Sequence, residues 1–122
     1  MAYKTVMLVD DNKEFLEELE ETLSLSGYNT VAVNDADRAF EIASKSSPDI
    51  VVMDLKMPTK TGFQLADELR RLPGFGSIPI IAMSGFFKDE YSPLMHICGI
   101  RKCIKKPFNP LDIIAEIEEA MK

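Results

Sequence analysis

Two adjacent carboxylates, Asp10-Asp11, a third at Asp54, a hydroxyl at Ser84 and an ammonium at Lys106 each stand just past a run of apolar residues. Val6-Met7-Leu8-Val9 leads into the first pair, Ile50-Val51-Val52-Met53 into Asp54, Ile78 to Met83 into Ser84, and Ile104 lies just before Lys106. If these runs are parallel strands, all five polar groups land on one edge of one sheet. Carboxylates that share a pocket repel one another, so without a cation some would tend to take up protons. Such a site is poorly suited to an anion unaided. It is well suited to a divalent cation and a phosphoryl group, because magnesium takes one or two carboxylates together with phosphate oxygens. A carboxylate can attack phosphorus to give an acyl phosphate. Lys106 and the metal would neutralise the transferred group, and Ser84 could hydrogen-bond one of its oxygens.

The elements that must position these groups alternate regularly. Strands are expected at Thr5 to Val9, Tyr28 to Val33, Ile50 to Met53, Ile78 to Met83 and Arg101 to Lys105. Helical periodicity follows each one. From Asn12 to Ser26, Phe15, Leu16, Leu19 and Leu23 share one face and Glu17, Glu18, Glu20 and Glu21 largely the other. Asn12 is the expected N-cap and Gly27 the C′ residue. Further helices are expected at Asp35 to Lys45, Gly62 to Leu72 and Lys88 to Ile97. Ser92-Pro93 would interrupt the last of these or start it late. The final helix has Asn109 as cap, Pro110 at its first position and Asp112 near its positive end, and it buries Ile113, Ile114, Ile117, Ala120 and Met121. Five β-α units in strict alternation imply one parallel sheet covered by helices on both sides. Right-handed crossovers then gather all strand C-termini on one edge, where ligands of such sheets bind.

Composition narrows the function classes. At 122 residues, with 46% hydrophobic and 28% charged residues, the chain reads as a single globular domain over 1–122. A net charge of −6 and the absence of a basic run argue against nucleic-acid binding by this chain. No uninterrupted apolar segment is long enough to span a membrane, and Met1-Ala2-Tyr3-Lys4 runs straight into a strand pattern with no signal peptide. Cys98 and Cys103 match neither a CxxC redox motif nor a zinc set, and read as two partly buried thiols in a reducing cytosol. With His96 as its one histidine, the chain cannot build a histidine metal cluster or catalytic dyad of its own. Pro73-Gly74-Phe75-Gly76-Ser77 lacks the spacing of a phosphate loop and reads as a turn.

Val9-Asp10-Asp11-Asn12, Met53-Asp54-Leu55-Lys56-Met57-Pro58 with Gly62, Met83-Ser84-Gly85 and Lys105-Lys106-Pro107-Phe108 together resemble the receiver domain of two-component response regulators. The resemblance covers essentially the whole chain. It implies a (βα)5 doubly wound, flavodoxin-like sheet in the order 2-1-3-4-5, a strand order that flavodoxin and the family's chemotaxis member share. It also implies that Asp54 accepts a phosphoryl group from a sensor histidine kinase or phosphotransfer protein. Asp11, Asp54 and the Lys56 backbone carbonyl would ligate Mg2+ (or Mn2+), with Asp10 holding it through water. Ser84 and Lys106 would engage the phosphoryl group, and Lys106-Pro107 would be cis. By the same resemblance the chain is a regulator that catalyses only its own phosphorylation and slow dephosphorylation, and that signals to a downstream output domain or protein. The ending at Met121-Lys122 fits both a stand-alone regulator and a receiver joined to an output domain.

One departure from the family pattern matters. Members usually carry an aromatic residue three positions before the lysine, whose rotamer couples the site to the signalling face; here that residue is Cys103. Either the thiol only fills space while another group transmits the change, or this coupling is absent and output falls to backbone movement after the fourth strand. By the resemblance, Lys56 and Phe86 are expected at the pocket mouth, where they would either screen Asp54 from water or point to solvent and do little. Phe86, Phe87 and Tyr91 form an aromatic cluster after the fourth strand, expected by default to serve packing; since the resemblance implies partner binding around the fourth helix and fifth strand, an exposed patch there would be an interaction site. Three other functions compete with this reading. A flavin carrier of the same topology would have its phosphate repelled by Asp10-Asp11. An aspartyl phosphatase would need a second acid where Lys56 stands. A phosphorylation-independent interaction module on the same fold is the remaining alternative.

Overall fold

The computed structural model describes residues 3–85 and 90–122. Five strands, β1 (Thr5–Val9), β2 (Asn29–Val33), β3 (Ile50–Asp54), β4 (Ile80–Ser84) and β5 (Ile100–Lys105), alternate with five helices. The helices are α1 (Lys13–Leu25), α2 (Ala36–Ser46), α3 (Gly62–Arg70), α4 (Tyr91–Cys98) and α5 (Pro110–Ala120). All strand pairs are parallel, in the order β2-β1-β3-β4-β5. This is the doubly wound flavodoxin-like arrangement that the sequence implies. Among the described residues no helix is long and apolar enough to cross a membrane.

Alternation along the strands divides the core into two layers. Val6, Leu8, Ile50, Val52, Ile81 and Met83 face Leu16, Leu19 and Leu23 of α1 and Ile113, Ile114 and Ile117 of α5. Met7, Val9, Val51, Met53, Ile80 and Ala82 face Ala39 and Ala43 of α2 and Leu65, Ala66 and Leu69 of α3, with Met95 of α4 at the margin. Every residue of β3 and β4 is buried, whereas β5 is partly exposed along most of its length. On that edge Ile80 pairs with Ile100 but Ile81 with Lys102. This one-residue slip lets Ile100 and Cys103 serve the same layer although they lie three apart.

Local chemistry sets the boundaries. Asn12 caps α1, its side chain accepting from the Phe15 amide. At the other end of α1, Gly27 adopts φ +92, the Tyr28 amide reaches back to the Leu23 carbonyl and the Gly27 amide to that of Ser24. Tyr28 therefore belongs to the helix stop and β2 starts one residue later than its apolar pattern suggests. Helix α3 ends at Arg70 rather than Leu72, because the Arg71 and Leu72 amides bond three residues back, to Glu68 and Leu69, and tighten the last turn. Strand β4 starts at Ile80, two residues later than expected, since Pro79 has no amide to donate. In α4, Pro93 is the third helical residue, where no intrahelical acceptor awaits its missing N–H. The expected start of that helix at Lys88 lies outside the described residues. Arg70 clamps the far edge of the sheet, donating to the carbonyls of Phe75 (2.7 Å), Ile78 (2.6 Å) and Gly99 (2.7 Å).

Gly62 is required by close approach. A Cβ on it would stand 2.6 Å from the Asp54 carbonyl oxygen and 2.9 Å from the Leu55 Cα, both backbone atoms. Its amide also donates to the Leu55 carbonyl at 2.9 Å. Gly62→Ala is expected to destabilise the domain by about 1–3 kcal/mol, the usual range for overpacking. The check is a lower urea midpoint at unchanged slope.

Candidate functional site

The carboxyl ends of β1, β3 and β4 and the segment after β5 meet at one edge of the sheet. Asp54 is the last residue of β3 and Ser84 the last of β4. Asp10 follows β1, its amide donating to the Val33 carbonyl at 3.1 Å. The Lys106 amide donates to the Ser84 carbonyl at 2.7 Å, which ties the lysine to the end of β4. The Lys106-Pro107 bond is cis. Asp10, Asp54 and Ser84 are buried; Asp11 is exposed.

Lys106 is the hub. Its Nζ lies 2.5 Å from Asp10 Oδ2 and 3.5 Å from Asp54 Oδ2, and 4.4 Å from the centroid of the Phe15 ring. The second oxygen of each carboxylate is held by backbone. The Asn12 amide donates to Asp10 Oδ1 at 3.0 Å and the Lys56 amide to Asp54 Oδ1 at 3.3 Å. Burial pushes the Asp54 carboxyl above its ordinary value; Lys106 opposes the shift and repulsion from Asp10 adds to it.

One oxygen from each of Asp10, Asp11 and Asp54 can be chosen so that all lie within 4.8 Å of one another. Hard oxygen donors at this spacing, with a single ammonium among three carboxylates, fit a divalent cation such as magnesium. The donor set thus supports the expected metal site. A depression of about 840 Å³ opens over the edge and is lined by Asp54, Lys56, Ser84 and Lys106, with Phe63 and Tyr91 on its apolar wall. The Phe63 and Tyr91 rings meet edge to face at 5.4 Å. A second depression of about 500 Å³, lined by Phe15, Leu19, Pro107 and Phe108, flanks Lys106 on the α1–α5 side.

The five polar groups singled out from the sequence therefore converge. Lys56 is exposed at the pocket rim, and Phe86, expected beside it, lies outside the described residues, as does Phe87. Cys103 is half-buried against the α2–α3 layer, and burial, then the charge of Asp54, pushes its thiol up. His96 sits in the last turn of α4. The sequence reading missed Phe15, which it assigned only to the helix core. The available signal was its place three residues after the cap that follows Asp10-Asp11.

A family model described as the response regulator receiver domain matches residues 6–118. The chain is 30% identical over 119 residues to the response regulator GtcR of Aneurinibacillus migulanus, covering 98% of this chain and 48% of that protein. It is 25% identical over 122 residues to the phosphate regulon transcriptional regulatory protein PhoB of Pseudomonas aeruginosa, covering 100% of this chain and 53% of the other. The chain thus spans about half the length of these relatives. Among solved structures, Vibrio cholerae chemotaxis protein CheY4 superposes with a TM-score of 0.94 at 25% identity, covering 98% of this chain and 99% of that one.

Proposed function

This chain belongs to the response regulator receiver domain family, and from that membership we propose that Asp54 is its phosphoacceptor, assisted by Lys106 and Ser84. As a receiver domain it is a phosphoacceptor of two-component signalling rather than an enzyme that turns over a separate substrate. One observation carries the assignment to Asp54. Of the three carboxylates it alone lines the large depression, where it stands beside Ser84 and Lys106. In the transfer, an Asp54 oxygen attacks the phosphorus of a phosphohistidine on a sensor kinase or phosphotransfer protein. The O–P bond forms as the P–N bond breaks, and the imidazole leaves with the electron pair. Lys106, already 3.5 Å from Asp54, pairs with the incoming phosphoryl oxygens, and the Ser84 hydroxyl donates to another. Attack by water on the same phosphorus later breaks the Asp54 O–P bond, releasing inorganic phosphate and restoring the carboxylate.

The side chains of Asp11 and Asp54 and the Lys56 carbonyl would hold Mg2+ or Mn2+, with Asp10 reaching it through water. When bound, the cation supplies positive charge to the carboxylates and to the transferred group. Phosphorylation adds charge at the ends of β3 and β4 and biases the segment after Ser84 and α4. Leu94 and Ile97 of α4 are exposed, and we assign the partner-facing surface to that side. The whole chain, 1–122, is read as one receiver domain whose output lies in a further domain or a separate protein.

Intact mass after incubation with acetyl phosphate tests this reading. One phosphoryl adduct is expected, present with Mg2+, absent with EDTA, and mapped to Asp54 after borohydride reduction. A folded, Mg2+-binding sample that accepts nothing from acetyl phosphate or from a phosphohistidine donor would instead favour the phosphorylation-independent interaction module.

A further inference from the structure

Four contacts close a circuit around the Lys106 ammonium. Asp10 Oδ1 accepts from the Asn12 amide at 3.0 Å, and Asn12 Oδ1 accepts from the Phe15 amide at 3.1 Å. The Phe15 ring lies under Lys106 Nζ at 4.4 Å, and Nζ returns to Asp10 Oδ2 at 2.5 Å. The ring also packs against Phe108, edge to face at 5.8 Å and 83°. Phe108 lies two residues beyond Lys106, so the lysine and the ring's brace arrive on one segment. Phe15 is only partly buried, unlike Leu16, Leu19 and Leu23 of the same helix. Its packing against the α1–α5 layer calls for an apolar side chain here but not for an aromatic one.

We propose that Phe15 is a positioning residue for phosphoryl acceptance: its ring face holds the Lys106 ammonium at the pocket by a cation–π contact. A four-carbon lysine stem has several rotamers, and carboxylates alone attract an ammonium without fixing its direction. The ring supplies a second, oriented attraction that persists when Asp10 is engaged elsewhere. Asp10 is also the carboxylate expected to hold metal-bound water, so metal entry weakens its grip on Lys106. The ring then keeps the ammonium near Asp54 during transfer. This inference rests on the phosphoacceptor reading, although the placement of Lys106 can be tested apart from it.

The test compares the parent with Phe15→Leu, which keeps an apolar helix-forming residue, and Phe15→Tyr, which keeps the ring. The reaction is phosphorylation by acetyl phosphate at saturating Mg2+. An Asp54 oxygen bonds to phosphorus as the P–O bond to acetate breaks and acetate leaves. Phe15→Leu is expected to slow it about 3- to 10-fold, the span of a partly desolvated cation–π contact, while Phe15→Tyr stays within about twofold of the parent. In metal-free protein, the Lys106 ε-proton resonances should lie upfield of those of the other lysines, shifted by the ring. That displacement should vanish in Phe15→Leu and persist in Phe15→Tyr. Equal slowing in both variants, or none in a folded Phe15→Leu, would overturn the proposal, as would unshifted ε-protons in the parent. If the parent accepts no phosphoryl group, the assignment of Asp54 fails instead, and the ring shift alone decides the placement of Lys106.

Discussion

Asp54→Asn is expected to accept no phosphoryl group and yet to melt at a higher temperature than the parent in metal-free buffer at pH 7. The first effect follows from chemistry, because an amide oxygen is not a useful nucleophile toward phosphorus and the acyl phosphate cannot form. Loss of the adduct in intact mass should be complete. The second effect follows from the raised carboxyl pKa, caused chiefly by burial, opposed by Lys106 and reinforced by Asp10. A carboxyl that binds its proton more tightly in the folded chain than in the unfolded one gives the fold an advantage at low pH. Stability then falls as pH rises from the unfolded value through the folded one, and the penalty is fully present above both. Asparagine resembles the protonated acid, so its stabilising effect should be largest at neutral pH and shrink as pH falls below the ordinary carboxylate value. Thermal melts of both proteins at several pH values in EDTA measure this. An Asp54→Asn protein less stable than the parent at pH 7 would show that pairing with Lys106 outweighs desolvation.

Lys106→Met should have the opposite consequence for stability. It keeps the apolar stem and removes the ammonium from beside Asp10, which is 1% exposed, and Asp54, which is 8% exposed. Removing one partner of a fully buried pair destabilises by about 3–5 kcal/mol, and the 22% exposure of the lysine side chain places this case lower, at about 2–3 kcal/mol. Urea unfolding in EDTA reads that loss. Millimolar Mg2+ should recover more stability in the variant than in the parent, because Asp10 and Asp54 then lack the ammonium that pairs with them among the described residues and Lys106 no longer competes for Asp10. Phosphorylation by acetyl phosphate should slow by about 100-fold, the scale of losing one preorganised charge at the transferred group. Near-parental kinetics would remove Lys106 from the chemistry.

Much of this was legible in the sequence, for reasons that differ from residue to residue. The strands β1, β3 and β4 read clearly because a parallel sheet buries both faces, leaving near-continuous apolar runs. Asp54 and Ser84 followed, since a strand end fixes its residues on the sheet edge. Asn12, Gly27 and Asn109 were readable because capping is local. The misplaced boundaries came from bonds that composition does not display, such as the backward hydrogen bonds that end α3 and the helix stop that takes Tyr28. The one-residue slip in β5 was likewise hidden, because its pairing partner is distant in sequence. Phe15 was passed over for a related reason. A helical wheel registers it as apolar, whereas its contact with Lys106 links residues 91 positions apart and exists only once both layers of helices are in place.

The uneven burial of the strands has a consequence for how the edge can move. Asp54 and Ser84 end strands in which every residue is buried, so their amides are expected to exchange only when most of the domain opens. Lys106 follows β5, an edge strand that is partly exposed and irregular in register. The Asp54 carboxylate and the Ser84 hydroxyl are thus mounted on the fully buried centre of the sheet and the Lys106 ammonium beside its partly exposed edge. The Lys106 backbone is tied to the Ser84 carbonyl, so displacement of its ammonium relative to Asp54 falls to the side chain, and slower hydrogen exchange is expected at Asp54 and Ser84 than along β5. The two halves of the site are therefore expected to run on different clocks.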